Sequence, residues 1–205
     1  MPVLYKEEIK PPILTRGHAL GSGSQWRQDL PHTLKVGKFT SPIIREFYVA
    51  GNRRGDVSQL IAIATAAYAP YIERIGREPA PMLADFAGHV SRREAFVLED
   101  GGEVVAYVVT YGKDDAQFVE NVAVRPSRQG QGHGMRLLDF AETRARDAGL
   151  RRMVLYTNVK MTENLSLYPR LGYAETRRVT EDGFERVYFE KVLVREGAGS
   201  SGVDE

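Results

Sequence analysis

The stretch that most restricts what this chain can fold into runs from Val122 to Leu138 and reads VAVRPSRQGQGHGMRLL. A strand-like pattern ends at Val124, and Pro126 turns the chain. Gly130, Gly132 and Gly134 follow at alternate positions, and a helical pattern starts at once. Alternate glycines remove Cβ atoms and let backbone N–H groups converge on one point. The first turn of the helix adds unpaired N–H groups and the positive end of its dipole. Such a strand–glycine loop–helix unit is an anion site suited to phosphate oxygens. Charge-assisted hydrogen bonds contribute roughly 1.5–3 kcal/mol each, so a few supply much of a micromolar affinity.

The spacing narrows the choice of phosphate. A P-loop ends in Gly-Lys-Ser/Thr, whereas Gly134 is followed by Met135 and Arg136; the dinucleotide fingerprint is G-x-G-x-x-G, whereas this loop is G-x-G-x-G. Arginines 125, 128, 136, 144, 146, 151 and 152 surround the loop and its helix, against Asp139, Glu142 and Asp147. That local excess suits a ligand with several phosphates. On glycine spacing alone, a glycine-rich turn leading into a solvated basic helix fits as well.

The rest of the chain alternates strand and helix patterns. Ile43–Ala50 reads as a strand, and Asp56 as the cap of a helix over Val57–Ala69 with Leu60, Ile61, Ile63, Ala64 and Ala67 on one stripe. Pro81 opens a second helix through Val90. Strands Glu94–Glu99 and Glu103–Tyr111 flank Asp100-Gly101-Gly102, a hairpin signal. Gln117–Val124 is a fourth strand. Helix Gly134–Ala148 buries Leu137, Leu138, Ala141, Ala145 and Ala148 and ends on Gly149. A strand at Met153–Thr157, a short helix capped by Thr162, and a hairpin of Tyr173–Arg178 with Phe184–Val194 about Asp182-Gly183 complete the pattern. The order β-α-α-β-β-β-α-β-α-β-β predicts an α/β fold with a mixed sheet and helices on both faces. Residues 1–42 read as an extension with little regular structure, 43–194 as the domain, and 195–205 as a disordered tail.

Composition excludes several classes. Net charge is +1, with 27% charged and 42% apolar residues, so nothing global points to nucleic acid or a membrane surface. Without cysteine there is no disulfide scaffold, thiol nucleophile or cysteine metal site, and His18, His32, His89 and His133 lack paired metal spacing. No apolar run reaches the roughly 18–20 residues that span a bilayer, and the first residues lack a signal-peptide core. We therefore expect a cytoplasmic protein that uses no metal.

The loop resembles the signature of the GCN5-related N-acetyltransferase family: Gln or Arg, two residues, Gly, one residue, Gly or Ala. Gln129, Gly132 and Gly134 meet it, after a V-x-P at Val124–Pro126. A second match is Asn164-Leu-Ser-Leu-Tyr168 followed by Gly172-Tyr173, and the predicted element order agrees. The resemblance covers roughly residues 43–194. It departs at Asn164, which lies closer to Tyr168 than the family's asparagine does; Met161 holds that place.

The resemblance implies a GNAT-like fold and direct transfer of the acetyl group of acetyl-CoA to a primary amine. It places acetyl-CoA against Val122, Val124, Gln129, Gly130, Gln131, Gly132, His133, Gly134, Met135 and Asn164. It implies Glu120 as general base, Tyr168 as proton donor to the leaving thiolate, and backbone N–H near Val124 as oxyanion donor, where the fourth strand splays from the fifth. An amine of pKa ~10.4 is about 0.1% neutral near pH 7.4, a deficit of roughly 4 kcal/mol, so a base is valuable. Glu120 as an ordinary strand carboxylate, and Tyr168 as packing against the pantetheine, stand beside these roles. Asn121 is placed to position a water if a bulge intervenes, and Tyr68, Tyr71 and Glu73 to contact the acceptor; His133 and Asp85 read as loop filling and helix surface. A small-molecule amine is the expected acceptor. A protein N-terminus or lysine, a non-catalytic acyl-CoA sensor and a nucleotide-phosphate binder remain alternatives. The second hairpin offers an edge for a homodimer.

Overall fold

The computed structural model describes residues 42–46 and 55–194, so the expected extension, the end of the first strand and the tail lie outside the described residues. Seven strands form one sheet: β1 (Ile43–Glu46), β2 (Ala95–Asp100), β3 (Glu103–Lys113), β4 (Ala116–Val124), β5 (Arg152–Asn158), β6 (Ala174–Glu181) and β7 (Phe184–Val192). Their spatial order is β1-β2-β3-β4-β5-β7-β6. β4 and β5 pair in parallel and every other neighbouring pair is antiparallel. The helices are α1 (Gly55–Tyr68), α2 (Ile72–Ile75), α3 (Phe86–Ser91), α4 (His133–Asp147) and α5 (Thr162–Arg170).

Strand alternation sorts side chains between two cores. On one face, Phe96, Leu98, Val108, Met153 and Phe189 pack with Leu137, Leu138, Ala141 and Ala145 of α4 and Tyr168 of α5. On the other, Val97, Tyr107, Val109 and Ala123 pack with Leu60 and Ile63 of α1 and Phe86 and Val90 of α3. The expected mixed sheet with helices on both faces is the observed architecture. Burying each large apolar side chain contributes about 1.5–3 kcal/mol.

Turn chemistry decided the hairpins. Gly101 and Gly102 have φ of 63° and 84°, and Asp182 and Gly183 have 53° and 74°, the doubly positive pattern that matches strand twist. Gly149 follows α4 with φ 72°, as its position predicts.

Several expectations need correction. Among the described residues three α-helices and two 3-10 turns, not two helices, lie between β1 and β2; Ala80–Leu83 is one of the 3-10 turns, and Pro81 opens no α-helix. Asp85 is the cap of α3: its side chain accepts from Gly88 N at 2.9 Å. Asp56 lies inside α1, which starts at Gly55. Thr162 is the first residue of α5, whose cap Met161 makes no side-chain cap bond. Ala148 is exposed, and Glu142 takes a place on the buried face of α4 through bonds to Lys191 (2.7 Å) and Arg146 (3.3 Å).

Candidate active site

The β4–β5 ladder fixes the site. Its parallel pairing covers Ala116↔Arg152 to Val119↔Leu155 and goes no further. Beyond Val119 the two strands part, while β5 stays paired with β7 as far as Asn158. On its other side β4 pairs with β3 through Val124, and Arg125 N donates to Val105 O at 2.8 Å. Backbone directions alternate along a strand, so the N–H and C=O of Val122 and Val124 point away from β3, into the gap. The carbonyls agree: Val122 O accepts from the Tyr68 hydroxyl and Val124 O from the Gln129 amide.

Two clefts open from this gap. Glu120, Asn121, Tyr156 and Arg186 line the first. Ile75, Pro79 and Pro81 roof it. Arg74 of α2 pairs with Glu163 of α5 at 2.7 Å, and the Arg77 guanidinium lies 3.9 Å over the Phe184 ring at the tip of the β6–β7 hairpin. The second cleft runs along the glycine loop and the start of α4. Tyr68, Val122, Asn164 and Tyr168 line both clefts, so the clefts meet at these residues.

The glycine loop fits a polyphosphate. Gly130 and Gly132 have φ of 75° and 79°, and a Cβ built on either meets nothing within 4 Å. The loop is thus held by left-handed backbone around open space, and the first N–H groups of α4 face it without helical partners. Gly134 has no positive φ; its Cβ would meet Val124 Cγ2 at 3.6 Å. Of the residues expected against acetyl-CoA, Val122, Val124, Gln129, Gly130, Gly132 and His133 line this cleft, as do Gly134, Met135 and Asn164; Gln131 does not. His133 is buried, and neither ring nitrogen has a hydrogen-bond partner among the described residues.

The basic cluster around the loop is largely spent elsewhere. Of its arginines only Arg128 lines the cleft, and it also faces Asp100 and Glu103. Arg125 faces Glu103, Arg136 donates to Pro42 O, and Arg144 lies over Phe96. Arg146 pairs with Glu142, and Arg152 with Asp115 and Glu190. Backbone N–H groups, not a field of arginines, are what this loop offers an anion.

A β-bulge arms the first cleft. Val109 pairs with Asn121 and Thr110 with Val119, so Glu120 is the extra residue on β4. The bulge turns Glu120 and Asn121 to the same face. Asn121 Oδ1 accepts from Tyr107 (3.0 Å) and Tyr68 (3.2 Å), and its amide donates to Pro81 O (3.3 Å). Both polar atoms of its side-chain amide are thus bonded to protein, with one of the two Nδ2 hydrogens to spare.

Glu120 Oε2 accepts from the Tyr111 hydroxyl at 2.7 Å, and Oε1 lies 3.2 Å from His89 Nε2. The His89 bond holds the Glu120 carboxyl below its ordinary range, against the opposing effect of burial. His89 is raised in turn, first by the bond to Glu120 and then by Glu94, with burial opposing. His89 was missed in the sequence because it lies 31 residues from Glu120 and carries no metal spacing.

Tyr168 is buried, its pKa is pushed up to about 12 by burial, and its hydroxyl makes no hydrogen bond with a described residue. Asn164 Nδ2 donates to Thr157 Oγ1 at 3.0 Å. Tyr71 lines the glycine-loop cleft, and Glu73 lines neither cleft. Among the described residues no cluster of His, Asp and Glu forms a metal site, and no helix is long and apolar enough to cross a membrane.

Residues 60–173 match the sequence model of the Acetyltransferase (GNAT) family. An "IAA acetyltransferase" of Azospirillum brasilense is 33% identical over 86 residues, 42% of this chain and 53% of that protein. The chain thus spans about half the length of this curated relative. The ribosomal-protein-S18-alanine N-acetyltransferase from Escherichia coli has a similar structure, with TM-score 0.58, 21% identity, and coverage of 79% of this chain and 100% of that one. The PaiA N-acetyltransferase from Thermoplasma acidophilum in complex with coenzyme A gives TM-score 0.62 at 15% identity, covering 75% of this chain and 100% of that one. At these identities the two solved structures share a fold with this chain.

Proposed function

The chain belongs to the acetyltransferase (GNAT) family, and from that premise we propose that it transfers the acetyl group of acetyl-CoA directly to the primary amine of a small molecule. The observation that carries this reading is the meeting of two clefts at Tyr68, Val122, Asn164 and Tyr168, where β4 and β5 part. One cleft has the anion-binding glycine loop and the other a carboxylate. Acetyl-CoA, when bound, supplies an activated thioester. The rest is work for the chain's own groups. The loop and the start of α4 hold the diphosphate. The N–H groups of Val122 and Val124 face the gap and can donate to a carbonyl oxygen there. Glu120 lines the acceptor cleft only, where a base must reach the amine, and Tyr168 lines both clefts, where a donor must reach the leaving sulfur.

A small acceptor is favoured by the roof. The Arg74–Glu163 pair and the Arg77–Phe184 contact tie α2 and its following turn across the first cleft to α5 and the β6–β7 hairpin. A peptide would need a groove open along its length. A soluble cytoplasmic setting and pairing of copies through the β6–β7 hairpin remain part of this proposal.

Ligand-dependent stability and thiol release test the reading together. Acetyl-CoA and CoA at 100 times their dissociation constants should stabilise the protein by about 2.7 kcal/mol, and ATP and NAD should not. Thiol should be released with small primary amines and not with peptides. Stabilisation by ATP but not CoA overturns the donor assignment, and preferential turnover of peptides overturns the acceptor assignment.

A further inference from the structure

Glu120 poses a chemical difficulty as a lone base. Its Oε2 accepts from the Tyr111 hydroxyl at 2.7 Å, and its Oε1 faces His89 Nε2 at 3.2 Å; a donor to a carboxylate makes it a weaker proton acceptor. An ammonium of pKa ~10 would give up its proton to such a group only steeply uphill. The neighbouring ring removes the difficulty.

His89 sits between two carboxylates. Its Nδ1 is 2.8 Å from Glu94 Oε2 and its Nε2 is 3.2 Å from Glu120 Oε1. Both carboxylates only accept, and a neutral ring carries a single N–H; the shorter contact, 2.8 Å to Glu94, assigns that hydrogen to Nδ1, which donates to Glu94. The Arg92 guanidinium, 3.1 Å from Nδ1, cannot donate to that protonated nitrogen; it bonds Glu94 instead, through Nε at 2.9 Å. With Nδ1 fixed as a donor, Nε2 is the nitrogen that gains and loses a proton, and it faces the base. His89 is 6% exposed and Glu120 26%, so the carboxylate meets the cleft while the ring lies behind it.

Resting on the acetyl-transfer reading and naming its proton path, we propose that the proton removed from the acceptor amine passes through the Glu120 carboxylate and comes to rest on His89 Nε2. One amine N–H bond breaks and one Nε2–H bond forms. The imidazolium is then held between Glu120 and Glu94, and it returns its proton to solvent after each turnover. Before transfer, the neutral ring and the Glu120 carboxylate face each other with lone pairs only, an arrangement that a shared proton relieves. The pair is therefore a stronger base than either group alone, and it titrates as a unit. The groups facing it are Arg92 and Glu94 beside α3, Tyr111 from β3, whose ring stacks 6.3 Å from His89, and Tyr156 from β5. Arg92 opposes the charged ring, and Glu94 and Glu120 outweigh it. His89 acts through Glu120 and is a positioning residue that also stores the proton.

The pair is tested on the full-length protein without substrate by NMR titration of the His89 ring nitrogens. In the wild type, Nε2 should titrate with a midpoint above the ordinary 6.5, and Glu120→Gln and Glu94→Gln should each lower it. A midpoint at or below that value, or one unmoved by Glu120→Gln, overturns the pair. The path is tested by pH profiles of kcat/KM. His89→Gln keeps a donor toward Glu120 but removes the titrating nitrogen. It should lower kcat/KM by about 10- to 100-fold, less than a full general base is worth because Glu120 remains, and its acidic limb should move to lower pH. Glu94→Gln keeps the ring, guards against a misfolded His89 variant, and should move the acidic limb in the same direction. A profile that is merely scaled, with the limb in place, overturns the path. A wild type that releases no thiol with any amine while His89 titrates as stated counts against acetyl transfer and leaves the pair standing.

Discussion

The Tyr68 hydroxyl lies 2.8 Å from the carbonyl oxygen of Val122 and 3.2 Å from Asn121 Oδ1, so the last residue of α1 is tied to β4 where the two clefts meet. A neutral hydrogen bond of this kind contributes about 0.5–1.5 kcal/mol net. Tyr68→Phe should therefore destabilise the fold by about 1 kcal/mol in urea denaturation, since Tyr107 still satisfies Asn121. The acetyl-CoA dissociation constant should rise only a few-fold. An unchanged denaturation midpoint would show that the tie is replaced by water.

Gly132 and Gly134 should respond differently to alanine. Gly132 has φ 79°, where an L side chain costs roughly 1–2 kcal/mol although the space is open. Gly132→Ala should bend the loop and weaken CoA binding at least about tenfold, because several N–H groups lose alignment together. Gly134 lacks positive φ, and its Cβ would make an ordinary contact at 3.6 Å with Val124. Gly134→Ala should fold with wild-type stability, and any effect should be confined to ligand affinity. Calorimetric titration with CoA and thermal melts of both variants separate the two cases.

What the sequence disclosed and what it hid follow from range. The glycine loop, α4 and both hairpin turns are local: a few adjacent residues set their backbone, and glycine and asparagine-like residues at positive φ mark them. The loop's arginines misled because charge counts ignore partners, and Glu103, Asp115 and Glu190 lie on other strands or their turns. The bulge that places Glu120 beside Asn121 depends on pairing with β3, which no single-strand pattern encodes. His89 and Glu120 meet only because α3 packs across the sheet.

The same pair sets a pH dependence of stability. His89 has a raised pKa in the folded state, so its contribution is complete below about 6.5 and is lost as pH rises through the folded value. Glu120 has a lowered pKa, so its contribution is complete above about 4.5 and is lost as pH falls through its folded value. Both describe one contact, which stabilises most between those limits. The stability difference between wild type and His89→Gln should peak near about pH 5.5–6 and shrink toward about pH 9 in denaturant titrations. A difference that grows with pH would mean that the ring is buried neutral.

Tyr168 separates proton transfer from hydrogen bonding at the leaving group. Its pKa of about 12 keeps it protonated at every working pH, so a donor is always present. The same value makes complete transfer to a thiolate of pKa ~8.5 unfavourable by several kcal/mol. Tyr168 therefore helps mainly by donating a hydrogen bond as negative charge develops, an interaction stronger in the transition state than in the bound thioester. Tyr168→Phe keeps the ring against Tyr173 and Phe189, so folding and CoA affinity should hold while kcat falls by about 10- to 100-fold. Because the thiol is a fair leaving group, the loss should be smaller than that from Glu120→Gln. Stopped-flow thiol release beside calorimetric CoA binding measures both quantities. Weakened CoA binding with normal kcat at saturation would make Tyr168 a packing residue. Equal losses from Tyr168→Phe and Glu120→Gln would move the difficult step from the amine to the sulfur.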